Sequence, residues 1–477
     1  MGQSVDRVEF GHQAVARFTE RLRAETQLLH DWVERNALSS REPVTGLELE
    51  AWLIDAQGHP APRNEEFLAR LGCPDVVTEL GRFNIELNVP PAPVAGDGLL
   101  RLSSSLQSTW SQVQACAAEM GLQAVAIGIL PTLRDADLQL ANLSDRARYR
   151  ALNQQALRQR HGRAVSLDIE GPDGRHLRST HRDVMLEAAA TSFQVHLQVP
   201  ADRMVRVFNA AQVCAAPLLA LCGNSPLLFG QPLWQESRIP VFEQALGLGT
   251  WVDGAHASLS RVSLGSGYAG YSLVECFREN CERFEPLLPM LSDEPAERLP
   301  HLRLHNGTIW RWNRPIVGFD PDGQPHLRLE HRPLPAGPSL VDMMANLSLA
   351  LGLFAGLAEA AVPPESQLPF EAASQNFQLA ARHGLEARLQ GLGQTEITAR
   401  EWLQDLLPVA RAGLDRLGVS PEVADAGLSV AGDRLRTRRT GAHWQIARLA
   451  LRRGDLAALT LDYAQRQSTG EPVHTWS

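Results

Sequence analysis

Two glutamates alternate with apolar residues in an early strand-like segment, and their spacing places both on one face. In Gly46–Asp55, Glu48 and Glu50 share a predicted face, whereas leucines fill the opposite one. Two carboxylates on one face repel each other, and a bound divalent cation would reverse that penalty. A solvated strand face explains two acids alone better than a metal site does, so the interpretation depends on further segments.

Glu86 is the centre of a second polar strand face. In Thr78–Pro91 the apolar residues alternate with Asn84, Glu86 and Asn88. Asparagine has a low strand propensity, so two asparagines around a glutamate indicate oxygen ligands or polar contacts. Glu79 precedes this strand across a glycine turn, which adds a further carboxylate to the same region.

Two later segments add a histidine and another glutamate. In Ser192–Pro200, His196 lies between glutamines on the polar face, although a lone strand histidine is more often a surface or core residue than a ligand. Further along, Glu330 shares a strand face with Arg328 and Arg332. An acid flanked by arginines commonly forms a structural ladder of ion pairs, which contributes little to stability on a surface. The same arrangement also suits a metal ligand beside phosphate-binding arginines.

Together, these polar faces collect six candidate metal ligands in an otherwise apolar sheet. Hard oxygen donors favour Mg²⁺ or Mn²⁺ over zinc, and a set of this size is large enough for two or three ions. Several Mg²⁺ ions in one sheet cavity are typical of phosphoryl transfer from ATP. The candidates are Glu48, Glu50, Glu79, Glu86, His196 and Glu330.

The elements that must position these residues are strands in the first two-thirds of the chain and helices in the last third. This order predicts an α+β fold with a large, mainly antiparallel sheet, divided into a core of residues 1–338 and a helical C-terminal region of residues 339–477 packed on it. The predicted strands are Thr45–Asp55, Phe83–Val89, Gln123–Ile129, Ser192–Val199, Thr308–Arg314 and Leu327–Pro333. The predicted helices include Phe10–Asn36, Leu99–Met120 and Asp202–Leu221.

One of these strands is predicted to be aromatic. In Thr308–Arg314, Trp310, Trp312 and Arg314 would share a face, and we expect the strand to end there because Pro315 follows. An exposed tryptophan is costly, so this face belongs to the core or to a dimer contact.

Composition excludes several classes of protein. The chain has 477 residues, a net charge of −9 and no lysine, so all its fixed cations are arginines. A P-loop, a pyridoxal Schiff base and a protein kinase each need a lysine, and the acidic balance argues against a nucleic-acid binder. Any ATP chemistry must therefore depend on metals and arginine.

The cysteines and the apolar segments indicate a cytoplasmic protein. The six cysteines form no C-x-x-C pair, and Met1–Arg23 shows no signal peptide, so we expect a reduced cytoplasm. The most apolar stretch, Leu340–Val362, carries Asp342 and Glu359, and we interpret it as a buried helix and not as a membrane span.

The motifs around these residues resemble the glutamate–cysteine ligase superfamily, and the bacterial type 2 carboxylate–amine ligases look like the most similar branch. The resemblance runs from about Thr45 to Leu340, and its specificity comes from the order of all the motifs together. They are G-x-E-x-E at Gly46–Glu50, E-x-G-x-F-N-x-E-x-N at Glu79–Asn88, R-Y-R at Arg148–Arg150, the strand His196, G-N-S-P at Gly223–Pro226 and E-x-R at Glu330–Arg332.

The resemblance implies a fold related to glutamine synthetase, in which a curved antiparallel sheet forms a funnel for ATP, metals and amino acid. It implies that the six candidates bind metal and that Arg332 contacts the transferred phosphoryl group or the carboxylate that accepts it. Arg314 resembles the arginine of the family's aromatic strand. The residues implied on the nucleotide or substrate side are Arg148, Tyr149, Asn224 and Arg238.

The activity implied is ATP-dependent formation of an amide between a glutamate-type carboxylate and an amine such as cysteine, through an acyl phosphate, as in glutathione biosynthesis. We expect small-molecule substrates, no nucleic acid and no membrane, and the aromatic strand and helical tail offer surfaces for a homo-oligomer. Three alternatives stay open: an ATP:guanidino phosphotransferase or a metal-dependent amide hydrolase on the same fold, and a non-catalytic nucleotide-binding relative.

A glycine-rich motif, G-x-G-x-x-G at Gly265–Gly270, has the pattern of a dinucleotide-binding loop. No βαβ unit is predicted around it, so we interpret it as a glycine-rich turn that covers the substrate.

Overall fold

The sheet that the sequence predicts is present, and it is antiparallel throughout. A computed structural model describes residues 9–247 and 259–477. Its strands, in chain order, are β1 (Val44–Ile54), β2 (Val76–Thr78), β3 (Asn84–Pro93), β4 (Gln123–Val125), β5 (Val165–Glu170), β6 (His176–His181), β7 (Phe193–Gln198), β8 (Leu227–Leu228), β9 (Gln231–Pro232), β10 (Asn313–Phe319), β11 (Pro325–His331), β12 (Arg388–Gln390) and β13 (Glu396–Thr398). Seven of them form one curled sheet in the order β10-β11-β7-β1-β3-β2, with β4 pairing with the end of β1. The predicted fold class is confirmed.

The register of this sheet brings the predicted polar residues onto one face. Glu50 on β1 is the partner of Glu86 on β3, and His196 on β7 is the partner of Glu330 on β11. Because alternate side chains point to opposite faces, the intervening leucines, such as Leu49, form the other face. That apolar face is buried in the main hydrophobic core.

Helices cover the apolar face of the sheet and surround the polar one. The helix α3 packs against β3, α5 against β11, and α9 against β7. The helices are α1 (His12–Glu34), α2 (Asn64–Leu71), α3 (Gly98–Glu119), α4 (Ala147–Gln159), α5 (Met204–Cys222), α6 (Arg238–Ala245), α7 (Val274–Arg283), α8 (Pro300–Asn306), α9 (Leu340–Ala358), α10 (Phe370–His383), α11 (Ala399–Arg416), α12 (Pro421–Thr437), α13 (Gly441–Leu451) and α14 (Leu456–Ser468). The three predicted helices correspond to α1, α3 and α5.

The predicted strand Thr308–Arg314 is wrong. The chain leaves α8 through a turn at Gly307 and Thr308, and the strand β10 begins only at Asn313 and runs through Pro315. A proline removes a ladder hydrogen bond, which excludes it from central strands but not from an edge, and β10 lies at the edge of the sheet. The predicted strand Gln123–Ile129 is also too long, since β4 ends at Val125.

The C-terminal region is helical, apart from the short hairpin of β12 and β13. Its helices α9 and α11 approach closely because glycines meet at the crossing: a Cβ on Gly413 would lie 1.8 Å from the Gly352 carbonyl oxygen. The same hydrophobic core includes residues of the sheet, α5, α9 and α11. This region therefore packs on the rest of the protein through a continuous apolar core.

The apolar stretch that begins at Leu340 is a buried helix, as predicted. Two helices, Ala201–Cys222 and Leu340–Ala358, are long and apolar enough to cross a membrane by length and composition alone. Most of their residues are buried inside the protein, which is the usual environment of a core helix.

Candidate active site

A cavity of about 690 Å³ lies over the polar face of the sheet. Residues of α4, α6 and α8 line its walls together with the 3₁₀ helix Met185–Ala189. Eleven of the twelve predicted site residues line this cavity, although they come from widely separated parts of the chain. They are Glu48, Glu50, Glu79, Glu86, Arg148, Tyr149, His196, Arg238, Arg314, Glu330 and Arg332.

The first group of potential metal ligands consists of Glu48, His196 and Glu330. His196 Nε2 lies 3.3 Å from Glu48 Oε1 and 3.9 Å from Glu330 Oε1, and one ligand atom from each residue lies within 4.8 Å of the others. Arg328 Nε lies 3.3 Å from His196 Nδ1 and orients the ring. Although His196 Nε2 is buried between two carboxylates, it makes no well-formed hydrogen bond with the described residues.

The carboxylates of this first group are held in their charged form. Burial raises the pKa of Glu48, but the proximity and charge of His196 outweigh it and bring that pKa below its usual range. Burial also works against ionisation of Glu330, yet Arg314, Arg332 and His196 lower its pKa to about 2. Both groups are therefore ready to accept a cation at neutral pH.

The second group consists of Glu50, Glu79 and Glu86, whose ligand atoms also lie within 4.8 Å of one another. The Glu50 carboxylate accepts hydrogen bonds from the Ser192 backbone N–H at 2.6 Å and from Gln194 Nε2 at 2.9 Å. These bonds fix Glu50 on the sheet while the other two acids face it. Because their ligand atoms lie so close together, the three carboxylates repel one another when they are ionised.

This repulsion is visible in the pKa values of the second group. Burial and the charges of Glu86 and Glu50 raise the pKa of Glu79 well above its usual range. Burial and the charge of Glu48 raise the pKa of Glu86 to about 7, and burial raises that of Glu50 despite Arg332. A bound divalent cation would remove this penalty, and an all-oxygen donor set suits Mg²⁺ or Mn²⁺. Both groups therefore fit a divalent metal.

Two predicted arginines lie beside the first group. Arg314 donates from Nε and Nη2 to the two oxygens of Glu330 at 2.6 and 3.0 Å, the bidentate arrangement of a charge-assisted pair. Arg332 donates from Nη1 to Gln194 Oε1 at 2.6 Å and to Glu330 at 3.3 Å. Arg314 Nη1 and Arg332 Nε are buried without a hydrogen-bond partner among the described residues, so each retains a donor for an anion in the cavity.

Three of the four residues predicted on the nucleotide or substrate side line the cavity. Arg148 lies 3.5 Å from the Gly307 carbonyl oxygen, and the Tyr149 hydroxyl donates to the Thr78 carbonyl at 3.1 Å. Both line the cavity. Arg238 also does so, with its guanidinium 5.6 Å from the centre of the Trp312 ring.

Asn224 does not lie in the cavity. Its side chain is fully buried, donates to the Ala336 carbonyl at 2.7 Å and to the Tyr463 hydroxyl at 2.8 Å, and accepts from Gln445 at 2.8 Å. These bonds use its amide groups within the protein. Asn224 therefore ties the G-N-S-P loop to the C-terminal helices and lies outside this cavity, unlike the other eleven predicted residues.

Glu187, on the 3₁₀ helix Met185–Ala189, is a cavity residue that was not predicted from the sequence. Glu187 lines the cavity, and burial raises its pKa to about 7, although Arg332 and Arg148 work in the opposite direction. No periodic pattern surrounds this residue, and its position becomes evident only when the turn before β7 is folded against α4 and α6.

The G-x-G-x-x-G segment is a loop before α7, and none of its residues lines the cavity. Glu275 of α7 accepts hydrogen bonds from the backbone N–H groups of Gly270, Tyr271 and Ser272 at 2.9, 2.6 and 2.9 Å. These backbone N–H groups are therefore already bonded to a carboxylate of the protein. The segment is neither a dinucleotide loop nor a cover of this cavity.

Comparison with solved structures supports this fold. A crystal structure of the glutamate–cysteine ligase of Francisella tularensis in complex with AMP has a TM-score of 0.54 at 13% identity, covering 91% of this chain and 89% of that one. A bifunctional glutathione synthetase from Pasteurella multocida has a TM-score of 0.52 at 14% identity, covering 89% of this chain and 53% of that one. At such identities the likeness shows the fold alone.

Sequence comparison identifies the family. No curated protein matches this chain. Residues 44–462, by contrast, match the model of glutamate-cysteine ligase family 2 (GCS2), and this range includes all the residues that line the cavity. With most of its length matched in this way, the chain belongs to glutamate-cysteine ligase family 2.

Proposed function

We propose that this protein is an ATP-dependent ligase that joins the side-chain carboxylate of glutamate, or of a similar acid, to an amine such as cysteine. Membership of the family supports a carboxylate–amine ligase. The observation that carries the proposal is the arrangement of the cavity, in which two acidic groups lie beside arginines that retain buried donors. That combination suits the transfer of a phosphoryl group between two anions.

The two acidic groups would hold two divalent cations, and a third is not required by the residues present. Glu48, His196 and Glu330 would hold one, and the acids around Glu86 the other. Bound there, Mg²⁺ supplies charge neutralisation and orientation of the ATP phosphates.

The protein's own residues supply positioning and anion binding. In the reaction, a carboxylate oxygen of the acid attacks the γ-phosphorus of ATP, ADP leaves, and an acyl phosphate forms. The amine nitrogen then attacks the acyl carbon, the C–O bond breaks, inorganic phosphate leaves and the nitrogen loses a proton. We assign to Arg332 and Arg314 the binding of the charge that develops on the phosphoryl oxygens, because both residues line the cavity and each retains a buried donor without a partner. Arg148, Tyr149 and Arg238 would position the substrates.

The choice of glutamate and cysteine is supported by the family description and by the name of the Francisella tularensis enzyme of similar fold, which was crystallised with AMP. A role in glutathione biosynthesis, a cytoplasmic location and a homo-oligomer are further proposals that accompany this activity. The division into two regions at residue 338 stays a prediction. The main hydrophobic core includes residues from both sides of this position.

A phosphotransferase that acts through a reactive cysteine is disfavoured, because no cysteine is among the residues that line the cavity in the described part of the chain. The ligase is tested by incubating the protein with Mg²⁺, ATP and single amino acids or pairs, with phosphate release and product mass as readouts. Glutamate-dependent phosphate release with an amide product, lost in Glu330→Gln, is expected. Amide hydrolysis without ATP would replace the ligase by a hydrolase, and binding without turnover would indicate a non-catalytic relative.

A further inference from the structure

The buried polar atoms of the cavity that lack a partner are unevenly distributed between donors and acceptors. Among the described residues that line the cavity, Arg238, Arg314 and Arg332 each have a buried guanidinium nitrogen without a hydrogen-bond partner. Glu187 is the one described cavity residue whose carboxylate has a buried oxygen, Oε2, without a hydrogen-bond partner. Buried polar groups are nearly always paired in the functional state, so these atoms indicate the charges of what binds there.

Glu187 does not belong to either of the acidic groups that fit a metal. It is held on the 3₁₀ helix Met185–Ala189, which packs against α6. This helix leads into β7, whose approach at Ser192 contacts Glu50. Glu187 is therefore close to the reaction centre but is presented from a different wall of the cavity, where Arg148 and Arg332 are its main cationic neighbours.

Arg238 Nε already lies 3.7 Å from the Glu236 carboxylate. The unpartnered nitrogens of Arg314 and Arg332 call for anionic groups, and the unpartnered Glu187 oxygen calls for a donor, preferably a cationic one. A substrate that carries only carboxylates would satisfy the first requirement and leave Glu187 Oε2 buried without a donor. A zwitterionic amino acid satisfies both, because its carboxylates meet arginine and its ammonium group meets Glu187.

We propose that Glu187 binds the α-ammonium group of the acid substrate and so selects an amino acid over the corresponding acid without an amine. This inference deepens the proposed ligase function and depends on it for the identity of the substrate. Among the described residues that line the cavity, Glu187 is the one carboxylate outside the two potential metal-binding groups, so it is assigned a role in specificity that those groups do not supply.

The test compares L-glutamate with glutarate, which lacks only the ammonium group. Binding of each is measured by calorimetry to the full-length protein with Mg²⁺ and a non-hydrolysable ATP analogue, in the unaltered protein, in Glu187→Gln and in Glu243→Gln. Glu243 is a matched control: it is a buried glutamate whose pKa burial also raises to about 7, but it bonds to Trp312 and Gln378 and does not line the cavity.

The expected result is a preference for glutamate of about 10- to 100-fold, the usual effect of one charged hydrogen bond, which is lost in Glu187→Gln and kept in Glu243→Gln. If Glu187→Gln prefers glutamate over glutarate as strongly as the unaltered protein does, even with a lowered melting temperature, Glu187 has a structural role and the inference is overturned. Failure of the unaltered protein to prefer glutamate would overturn it as well.

Phosphate release separates this inference from the ligase proposal; it is measured with the same proteins and acids in parallel samples that contain ATP and an acceptor amine in place of the analogue. Glutamate binding that depends on Glu187 without any phosphate release would support the inference and contradict the ligase. Phosphate release that is equally efficient with glutarate and glutamate would contradict the inference and leave the ligase intact.

Discussion

Glu50 on β1 and Glu86 on β3 are direct partners in the antiparallel register, and both carboxylates face the same cavity. Like charges that lie opposite each other destabilise a sheet, and a third acid, Glu79, joins them. A cation bound between them would turn this cost into binding energy, which would explain why the sheet tolerates the arrangement.

Removing one of these charges should separate stability from metal binding. In Glu86→Gln without metal at pH 8, the free energy of unfolding should rise by on the order of 1 kcal/mol, because a buried charge that is repelled by neighbouring carboxylates is removed. Mg²⁺ should then stabilise this variant far less than the unaltered protein, since stabilisation follows affinity. Thermal unfolding with and without Mg²⁺ measures both effects.

Glu66→Gln, on the exposed surface of α2, is the control and should keep the full response to Mg²⁺. An unchanged Mg²⁺ response in Glu86→Gln would remove Glu86 from the metal site.

Metal affinity should depend on pH near neutrality. The pKa of Glu86 is about 7 and those of Glu79 and Glu50 are raised, so below pH 7 protons occupy these oxygens and Mg²⁺ must displace them. Affinity should therefore fall by at least about tenfold between pH 8 and pH 6. Calorimetry in buffers of different ionisation enthalpy should show proton release at pH 7. Affinity that is constant across this range would mean that the acids are already ionised without metal.

The planar guanidinium group of Arg332, with its several donors, should matter more for catalysis than its charge alone. Arg332→Lys keeps the charge, but a single ammonium group cannot bond Gln194 and Glu330 and also replace the unpartnered Nε donor. We expect kcat to fall by about 10²- to 10³-fold, the typical effect of losing one donor to a developing anion, with little change in melting temperature. A loss confined to the KM for ATP would show that Arg332 binds nucleotide without acting on the transferred group.

The close crossing of α9 and α11 should be sensitive to a single methyl group. In Gly413→Ala the new Cβ would meet the Gly352 carbonyl oxygen at 1.8 Å, so the helices must separate, at a cost of about 1–3 kcal/mol. Denaturant unfolding measures this loss. Gly432→Ala on α12 is the control, because its Cβ would meet only the Leu407 side chain at 3.9 Å, and it should be neutral or slightly stabilising. Equal stability of the two variants would contradict the packing described for α9.

The acidic strands could be predicted from the sequence because strand alternation is a local property. Glu48, Glu50, Glu86, His196 and Glu330 each occur in a segment whose apolar residues alternate, and the structure brings all of them to one cavity. The division into two groups of three was not predictable, because it follows from the order of the strands in the sheet.

The failures arise where tertiary context overrides local pattern. Pro315 was expected to end a strand, but it lies in the edge strand β10, where a residue without a backbone N–H is tolerated. Asn224 lies in a family-like motif, yet its amide is used by Tyr463 and Gln445 from distant helices. Glu187 has no local pattern at all, and only the folded cavity reveals it.

The most direct test of the ligase follows one oxygen atom. Glutamate labelled with ¹⁸O in its side-chain carboxylate is incubated with the protein, Mg²⁺, ATP and the acceptor amine, and the released phosphate is analysed by mass spectrometry. An acyl phosphate that the amine cleaves at its C–O bond leaves one labelled oxygen in the phosphate, and this is the predicted result. Phosphate without label would mean that the carboxylate never attacks ATP and would contradict the proposed function.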